Sequence, residues 1–466
     1  EPPVGKESLY ATQFKNLPIG QMEEKFADYG EVQIKQLNDR SKMYYTPNKE
    51  NNVFQLVVQY GAGEREFPKL GYAAQLMNNA GIMGAYEPQE LKEELSKLNA
   101  TCHVTADDDN LYIIMEGYEA TLPQACQLLS RQILMPKLDE KQLARLKGSA
   151  MGMRQQRKDN VSILNEALRQ YMLYGEKSDY IKELTDKEIY ELQISELTGD
   201  INRASNYEAK VFFTGTLPFD QVYDILSKNL PLVANERPSN SPQAKEMMPV
   251  TENTVYFLPN NDAEQAQIHL YIPMQKADKK DDVLRSAFNQ YFGLDFTGIV
   301  LNEIREKRSM AYTAYAFVGT QGIAGKASYL RGYIGTQNDK ANDALDVLMS
   351  LVNDMPKNPE RIGNIKSYLR QAMLTSHPSF RNKAMELVDL GYRGYTDDPA
   401  KENLPKVDAL TFDDIVKFYE ENIKGKPYCI SIMGNPKDID LKRLEKFGKV
   451  VKLNERKLFN TKDALF

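Results

Sequence analysis

An internal repeat narrows what this chain can fold into more than any other feature of its sequence. Met135-Pro136-Lys137 and Met355-Pro356-Lys357 are the same corner, offset by 355 − 135 = 220, while Gly215 of VFFTG and Gly434 of ISIMG are offset by 434 − 215 = 219. Nearly equal offsets at two markers about eighty residues apart imply duplication of one supersecondary unit. Each copy reads in the same order. An alternating strand (FQLVVQYGAG, then AQIHLYIP) precedes a helix (KLGYAAQLMNNAG, then DDVLRSAFNQYFG), a second helix, paired strands, two helices split at the Met-Pro-Lys corner, a capped helix and a last strand. Thr185 to Glu188 has the form of a capping box, and Thr411 of TFDDI reprises it at a larger offset, which requires an insertion between the markers.

Strands early, helices in the middle and a strand late predict an α+β fold. It consists of two tandem homologous α/β-sandwich domains, each a mixed, mostly antiparallel sheet with helices packed on one face. Residues 1–35, with Pro2, Pro3, Pro18 and a short charged helix around Gln21 to Tyr29, read as an N-terminal arm or connector. The first repeat then spans 36–230, the Pro-, Ser- and Asn-rich stretch 231–250 is a linker, and the second repeat spans 251–466. At 466 residues the chain is too long for one ordinary core, which agrees with two units.

Composition removes several classes of function. The hydrophobic content of 42% with 27% charged residues reads as a soluble, globular protein. A net charge of −6 with dispersed Lys and Arg lacks the concentrated basic face that nucleic acid requires. No apolar run is long enough to span a bilayer. The opening Glu1-Pro2-Pro3 shows no signal sequence and suggests a processed piece or a junction between halves. Cys102, Cys126 and Cys429 are widely spaced and odd in number, so they form neither a disulfide framework nor a metal cluster. His103, His269 and His377 fall on three different elements with no i, i+4 pair and no acid in register, a pattern that reads as ordinary structural roles. The acidic turn Asp107 to Asp109 lacks the spaced ligands of a calcium loop and reads as a hairpin turn. No G-x-S-x-G occurs, and no nucleophile stands beside a base.

One stretch carries candidate chemistry. From Phe292 to Gly319 a Gly/Asp/Thr turn leads into an amphipathic helix with Ile299, Leu301 and Ile304 on its apolar side, then into a strand bearing Tyr312, Ala314, Ala316 and Val318. Arg305 and Tyr312 flank the junction. A guanidinium can hold a carbonyl or carboxylate in a fork, and a phenol can donate to an oxyanion, so the pair is suited to gripping a peptide. Taken alone, an Arg on a helix face and a Tyr opening a strand are ordinary surface residues.

The paired units, with REKRSMAYTAY in the second, resemble one half of the pitrilysin/insulinase peptidases, the inverted zincins, over nearly all of the chain from about residue 35. The resemblance implies two such halves closing like a clamshell around a chamber in which unfolded peptides are cut. It also implies that Arg305 binds substrate and that Tyr312 binds substrate and stabilises the transition state. In the first repeat Ala100 aligns with Ala311, so Glu94 and Thr101 stand where the second repeat has Arg305 and Tyr312. Active halves carry H-x-x-E-H on the first helix of the first repeat. Here Ala74 and Asn78 fill the two His positions and Met77 the general-base position, and no carboxylate lies between Glu140 and Asp159 for the distal ligand. The resemblance therefore implies a non-zinc-binding half with no cofactor of its own. Its expected partners are a zinc-bearing homologous half or subunit and an unfolded peptide, in a bacterial periplasm or cell envelope. The alternative of a different class is a catalytically inert scaffold or assembly subunit of the same fold. A self-sufficient hydrolase is a third, for which no nucleophile, base and metal set can be assembled.

Overall fold

Strand alternation in the sequence translates directly into two buried sheet faces. The computed structural model describes residues 10, 13, 23–232, 237–293 and 297–462. Pro2, Pro3 and Pro18 of the arm, residues 233–236 of the linker and Asp295 of the turn before Arg305 lie outside them. The strands are β1 (Gln33–Gln36), β2 (Lys42–Pro47), β3 (Val53–Tyr60), β4 (Gly81–Ile82), β5 (Thr101–Ala106), β6 (Leu111–Tyr118), β7 (Pro136–Lys137), β8 (Ala209–Gly215), β9 (Thr254–Pro259), β10 (Gln265–Lys276), β11 (Ala311–Thr320), β12 (Ala327–Gln337), β13 (Cys429–Gly434) and β14 (Lys449–Lys452). One sheet has the order β1-β2-β8-β3-β6-β5 and the other β14-β9-β13-β10-β12-β11. From β2 and β9 onward the two match strand for strand: a parallel pair (β2 with β8, β9 with β13) followed by three antiparallel pairings. The duplication read from the offsets is thus a duplication of topology, and β5 and β11 are the corresponding edge strands.

Five helices flank the candidate site or join the two units: α1 (Leu70–Met77), α2 (Pro88–Lys97), α3 (Val161–Tyr174), α4 (Asp282–Phe292) and α5 (Lys383–Tyr392). Each sheet packs its own helices on one face, as expected. In the first unit Phe54, Leu56, Val58 and Tyr60 of β3 point into a core with Leu70, Ala73 and Leu76 of α1. In the second, Ile268, Leu270 and Ile272 of β10 meet Ala287 and Phe288 of α4. The opposite faces are also covered, each by a helix from the other unit. Leu164, Ala167 and Leu168 of α3 pack on Leu258 and Met433 of the second sheet, and Met172 and Leu173 on Tyr271 and Cys429. In return Ala384 of α5 packs on Val57 and Phe212 of the first. Each unit therefore has its own main core, and the reciprocal exchange of a helix over the outer sheet faces couples the two.

Two local expectations change. The charged helix expected around Gln21 to Tyr29 is not formed over the described residues 23–28, which run without regular structure into a single 3-10 turn at Tyr29–Glu31. The backbone amides there are drawn to the second unit instead: Ala27 N donates to the buried Asp398 carboxylate at 2.7 Å, and Glu24 pairs with Arg370. The second change is in the linker. Residues 237–250 have no regular structure, yet they are strapped to the first unit. Arg237 N donates to Asn206 O at 2.8 Å, Asn240 N donates to Gly61 O at 2.8 Å, and Met248 N donates to Leu173 O at 2.7 Å. The hairpin turn and both caps form as expected. Asp107 Oδ1 accepts from the amides of Asp109 and Asn110, and Thr185 with Glu188 and Thr411 with Asp414 close reciprocal capping boxes.

Candidate functional site

Arg305 and Tyr312 are carried by two backbone irregularities. The helix before β11 is α-helical only over Ile299–Leu301 and widens to a π-turn over Asn302–Glu306, which includes Arg305. The apolar face is as expected, with Ile299, Leu301 and Ile304 buried, but the regular helix is replaced by this wider turn. Its exit is sharp: Ser309 adopts φ 50°, and Met310 N donates back to Ile304 O at 3.0 Å. In β11, Ala311 pairs with Thr336 and Thr313 with Gly335, so Tyr312 is the extra residue of a β-bulge. Single π-turns and bulges break ladder hydrogen bonds and re-aim side chains, which is why they collect at functional sites. The first unit has neither irregularity: α2 is α-helical throughout and β5 pairs with β6 without a register shift.

The result is a guanidinium beside a phenol on an exposed sheet corner. The Arg305 Cζ lies 5.0 Å from the centroid of the Tyr312 ring, and the ring is 76% exposed. Arg305 Nε is also 3.4 Å from Glu306 Oε1. The π-turn is braced by Glu303, which takes Lys307 Nζ at 2.6 Å and whose carbonyl accepts from Arg308 at 2.7 Å. Burial alone would raise the Glu303 carboxyl, but the hydrogen bonds from Lys307 and Arg308 outweigh it and hold the group below its usual range. Buried Thr336 donates its hydroxyl to Met310 O, tying the turn between the two site residues to the neighbouring strand.

At the helix where the resemblance would place a zinc motif, the first unit has packing residues. Ala74 and Met77 are about 1% exposed and belong to the core, with no atom able to bind zinc or take a proton at neutral pH. Asn78 uses its carboxamide structurally. Its Oδ1 accepts from Val104 N at 2.8 Å and its Nδ2 donates to Val104 O at 2.9 Å, so it occupies both outward backbone groups of that residue on edge strand β5. The second unit repeats the device: Asn289 Oδ1 accepts from Val318 N at 2.6 Å, and Nδ2 donates to Val318 O at 3.0 Å on β11. Sequence reasoning missed these clamps, although a signal was present. Asn78 and Asn289 are offset by 289 − 78 = 211, the same as Ala100 and Ala311, 311 − 100 = 211. Among the described residues no group of three or more His, Cys, Asp or Glu could hold a metal ion. The residues present do not fit zinc.

The three histidines stay apart. His103 is on β5 and His377 in a loop, both exposed, while His269 is buried on β10 with Nε2 3.0 Å from Asn165 Oδ1 of the exchanged helix α3. Burial, then the charges of Arg331 and Arg169, push the His269 imidazole down to about 3. The folded protein therefore keeps it neutral where the unfolded chain, with an ordinary value of 6.5, takes up a proton. Its contribution to stability is complete above pH 6.5 and is lost progressively as the pH falls toward 3. A His269→Gln variant, which keeps a donor for Asn165, is expected to show a flatter fall in Tm with acid across that window. Parallel Tm profiles for the two proteins would show that His269 does not titrate on unfolding.

Residues 205–365 match the family model described as Peptidase M16 inactive domain. No curated protein matches the sequence. A peptidase M16 inactive domain from Pseudomonas fluorescens is similar in fold at TM-score 0.67 and 17% identity, over 88% of this chain and 99% of that one. The ferredoxin protease FusC in complex with Arabidopsis ferredoxin is similar at TM-score 0.65 and 12% identity, over 91% of this chain and 49% of that one. The periplasmic protease PqqL from Escherichia coli is similar at TM-score 0.65 and 12% identity, over 91% and 50%. This chain spans about half the length of those two proteases. The likeness to pitrilysin/insulinase peptidases, M16, is borne out, and it is to their inactive, non-zinc-binding part.

Proposed function

We propose that this chain, an M16-type inactive half, closes the chamber of a zinc-dependent endopeptidase over an unfolded peptide and supplies Arg305 and Tyr312 to it. Arg305 holds a backbone carbonyl or carboxylate of the peptide, and Tyr312 donates its hydroxyl to the oxyanion that forms when the scissile carbonyl is attacked. The observation that carries this reading is the pairing of a π-turn under Arg305 with a bulge at Tyr312, in the second unit and not in the first. An inert scaffold would have no use for a broken ladder that presents a phenol to solvent. The zinc belongs to a homologous half, on the same longer chain or on a separate subunit, since the positions here are Ala74, Met77 and Asn78. The ferredoxin bound to FusC supports a protein-derived substrate, and the periplasmic setting of PqqL supports an envelope location. No helix among the described residues is long and apolar enough to cross a membrane.

The test is reconstitution with the H-x-x-E-H protein encoded upstream in the same frame or in the neighbouring one. Arg305→Ala in the assembled enzyme is expected to lower kcat/KM about tenfold or more, mainly through KM, because it removes a charge-assisted hydrogen bond made to substrate before the chemical step. An unchanged KM with intact assembly would take Arg305 out of the substrate site and favour the scaffold reading.

A further inference from the structure

The strand register identifies the residue that accommodates the bulge at Tyr312. β3 and β10 hold equivalent places in the two sheets: Leu56 pairs with Phe213 and Ile268 with Ile432, at offsets of 268 − 56 = 212 and 432 − 213 = 219. The same two offsets carry Phe54 and Gly117, which pair across β3 and β6, onto Ala266 and Thr336, which pair across β10 and β12. All four positions are buried, and volume has moved from one strand to the other. In the first unit a large ring opposes a residue with no side chain. A Cβ on Gly117 would lie 3.0 Å from Asn99 O, 3.1 Å from the Phe54 ring and 3.2 Å from Ala100 Cα, which leaves no room for a hydroxyl. In the second unit a single methyl opposes a branched side chain, and the Thr336 hydroxyl donates to Met310 O. Asn99 and Met310 are the residues immediately before the aligned Ala100 and Ala311.

The exit from the preceding helix differs at the same spot. Asn99, at φ 50°, is followed directly by Ala100, whose amide donates back to Leu95 O at 2.9 Å. Ser309, also at φ 50°, is followed by Met310 and only then by Ala311, so the second unit has one residue more between the left-handed turn and its strand. An irregularity of this kind leaves backbone groups without their ladder partners, and buried ones need a partner from elsewhere. The Thr336 hydroxyl supplies one, from the β12 residue that pairs with Ala311 immediately before the bulge. We propose that Thr336 is a positioning residue of the candidate site: seated opposite Ala266, it holds the Met310 carbonyl with its hydroxyl and so fixes the bulge that aims the Tyr312 phenol. The consequence for turnover rests on the reading of Tyr312 as the oxyanion donor, whereas the consequence for the bulge does not.

The bulge is read first on the full chain by itself. The sequence contains no Trp, so Tyr312→Trp places a single indole there as a fluorescent reporter. Adding Thr336→Val, which keeps the side-chain shape and removes the hydroxyl, is expected to lower the anisotropy of that indole by about a third through faster local motion, and Thr336→Ser is expected to restore it. Thr336→Ala removes the hydroxyl without setting a methyl against the Met310 carbonyl, and carries the same expectation should the valine variant fail to fold. In the assembled peptidase Thr336→Val is expected to lower kcat about tenfold at unchanged KM, with recovery in Thr336→Ser, and to cost nothing further in a chain that already carries Tyr312→Phe. If Tyr312→Phe alone leaves turnover unchanged, the reading of Tyr312 as oxyanion donor fails, and the anisotropy still decides whether Thr336 holds the bulge. Anisotropy unchanged by loss of the hydroxyl would overturn the proposal. So would a full second loss of kcat on top of Tyr312→Phe, since Thr336 would then act on the fold at large and not through Tyr312.

Discussion

Tyr312→Phe is expected to lower kcat of the assembled peptidase about a hundredfold or more while KM and assembly stay as they were. Losing one oxyanion donor costs ~2.7–4 kcal/mol of barrier, and each ~1.4 kcal/mol is a factor of ten in rate. The substitution is clean in this structure. The ring is 76% exposed and lies 5.0 Å from the Arg305 guanidinium, a contact that phenylalanine preserves, so what is lost is the hydroxyl and nothing of the core. The measurement is steady-state kinetics on wild-type and variant assemblies of equal size by gel filtration. Unchanged turnover would remove Tyr312 from the mechanism and leave the inert scaffold as the better reading.

The second large effect is on stability. Leu168 is fully buried on α3, packed against Leu258, Met433 and Leu458, all of which belong to the other unit. Truncation to alanine removes the transfer free energy of the buried methyls and leaves a cavity, and Leu168→Ala is expected to cost about 2–5 kcal/mol. Because α3 closes the second sheet while α5 closes the first, the loss is expected to lower one shared unfolding transition rather than that of a single unit. Denaturant unfolding followed by two probes tests this. Two separate transitions, with only one displaced by Leu168→Ala, would show that the exchanged helices do not couple the units.

Much of this architecture was legible because it rests on local patterns that repeat. The alternation in β3 and β10, the Met-Pro-Lys corners, and the Thr185 and Thr411 caps each declare themselves within a few residues, and their common offset declares the duplication. The exchange of α3 and α5 was not legible, because an amphipathic helix states that one face is buried and says nothing about which sheet buries it. Residues 23–28 carry a helical composition, but a buried Asp398 and a half-buried Arg370 far along the chain compete for their backbone and side chains. At the site, residue types were readable and geometry was not. Arg305 and Tyr312 stood out by chemistry, whereas the π-turn and the bulge that hold them each arise from one extra residue, which periodicity absorbs without trace. Asn78 was visible only as the residue at a position where the resemblance implies a histidine. Its replacement role, holding both backbone groups of Val104, needed the strand edge to be placed beside it.

The division of labour between a gripping half and a cutting half is tested most directly by metal content and peptide cleavage, measured on the purified chain alone and again after mixing with the H-x-x-E-H half. The chain alone is expected to hold no stoichiometric zinc and to cut nothing, with cleavage appearing only in the mixture. Stoichiometric zinc together with peptide cleavage by the isolated chain would contradict it.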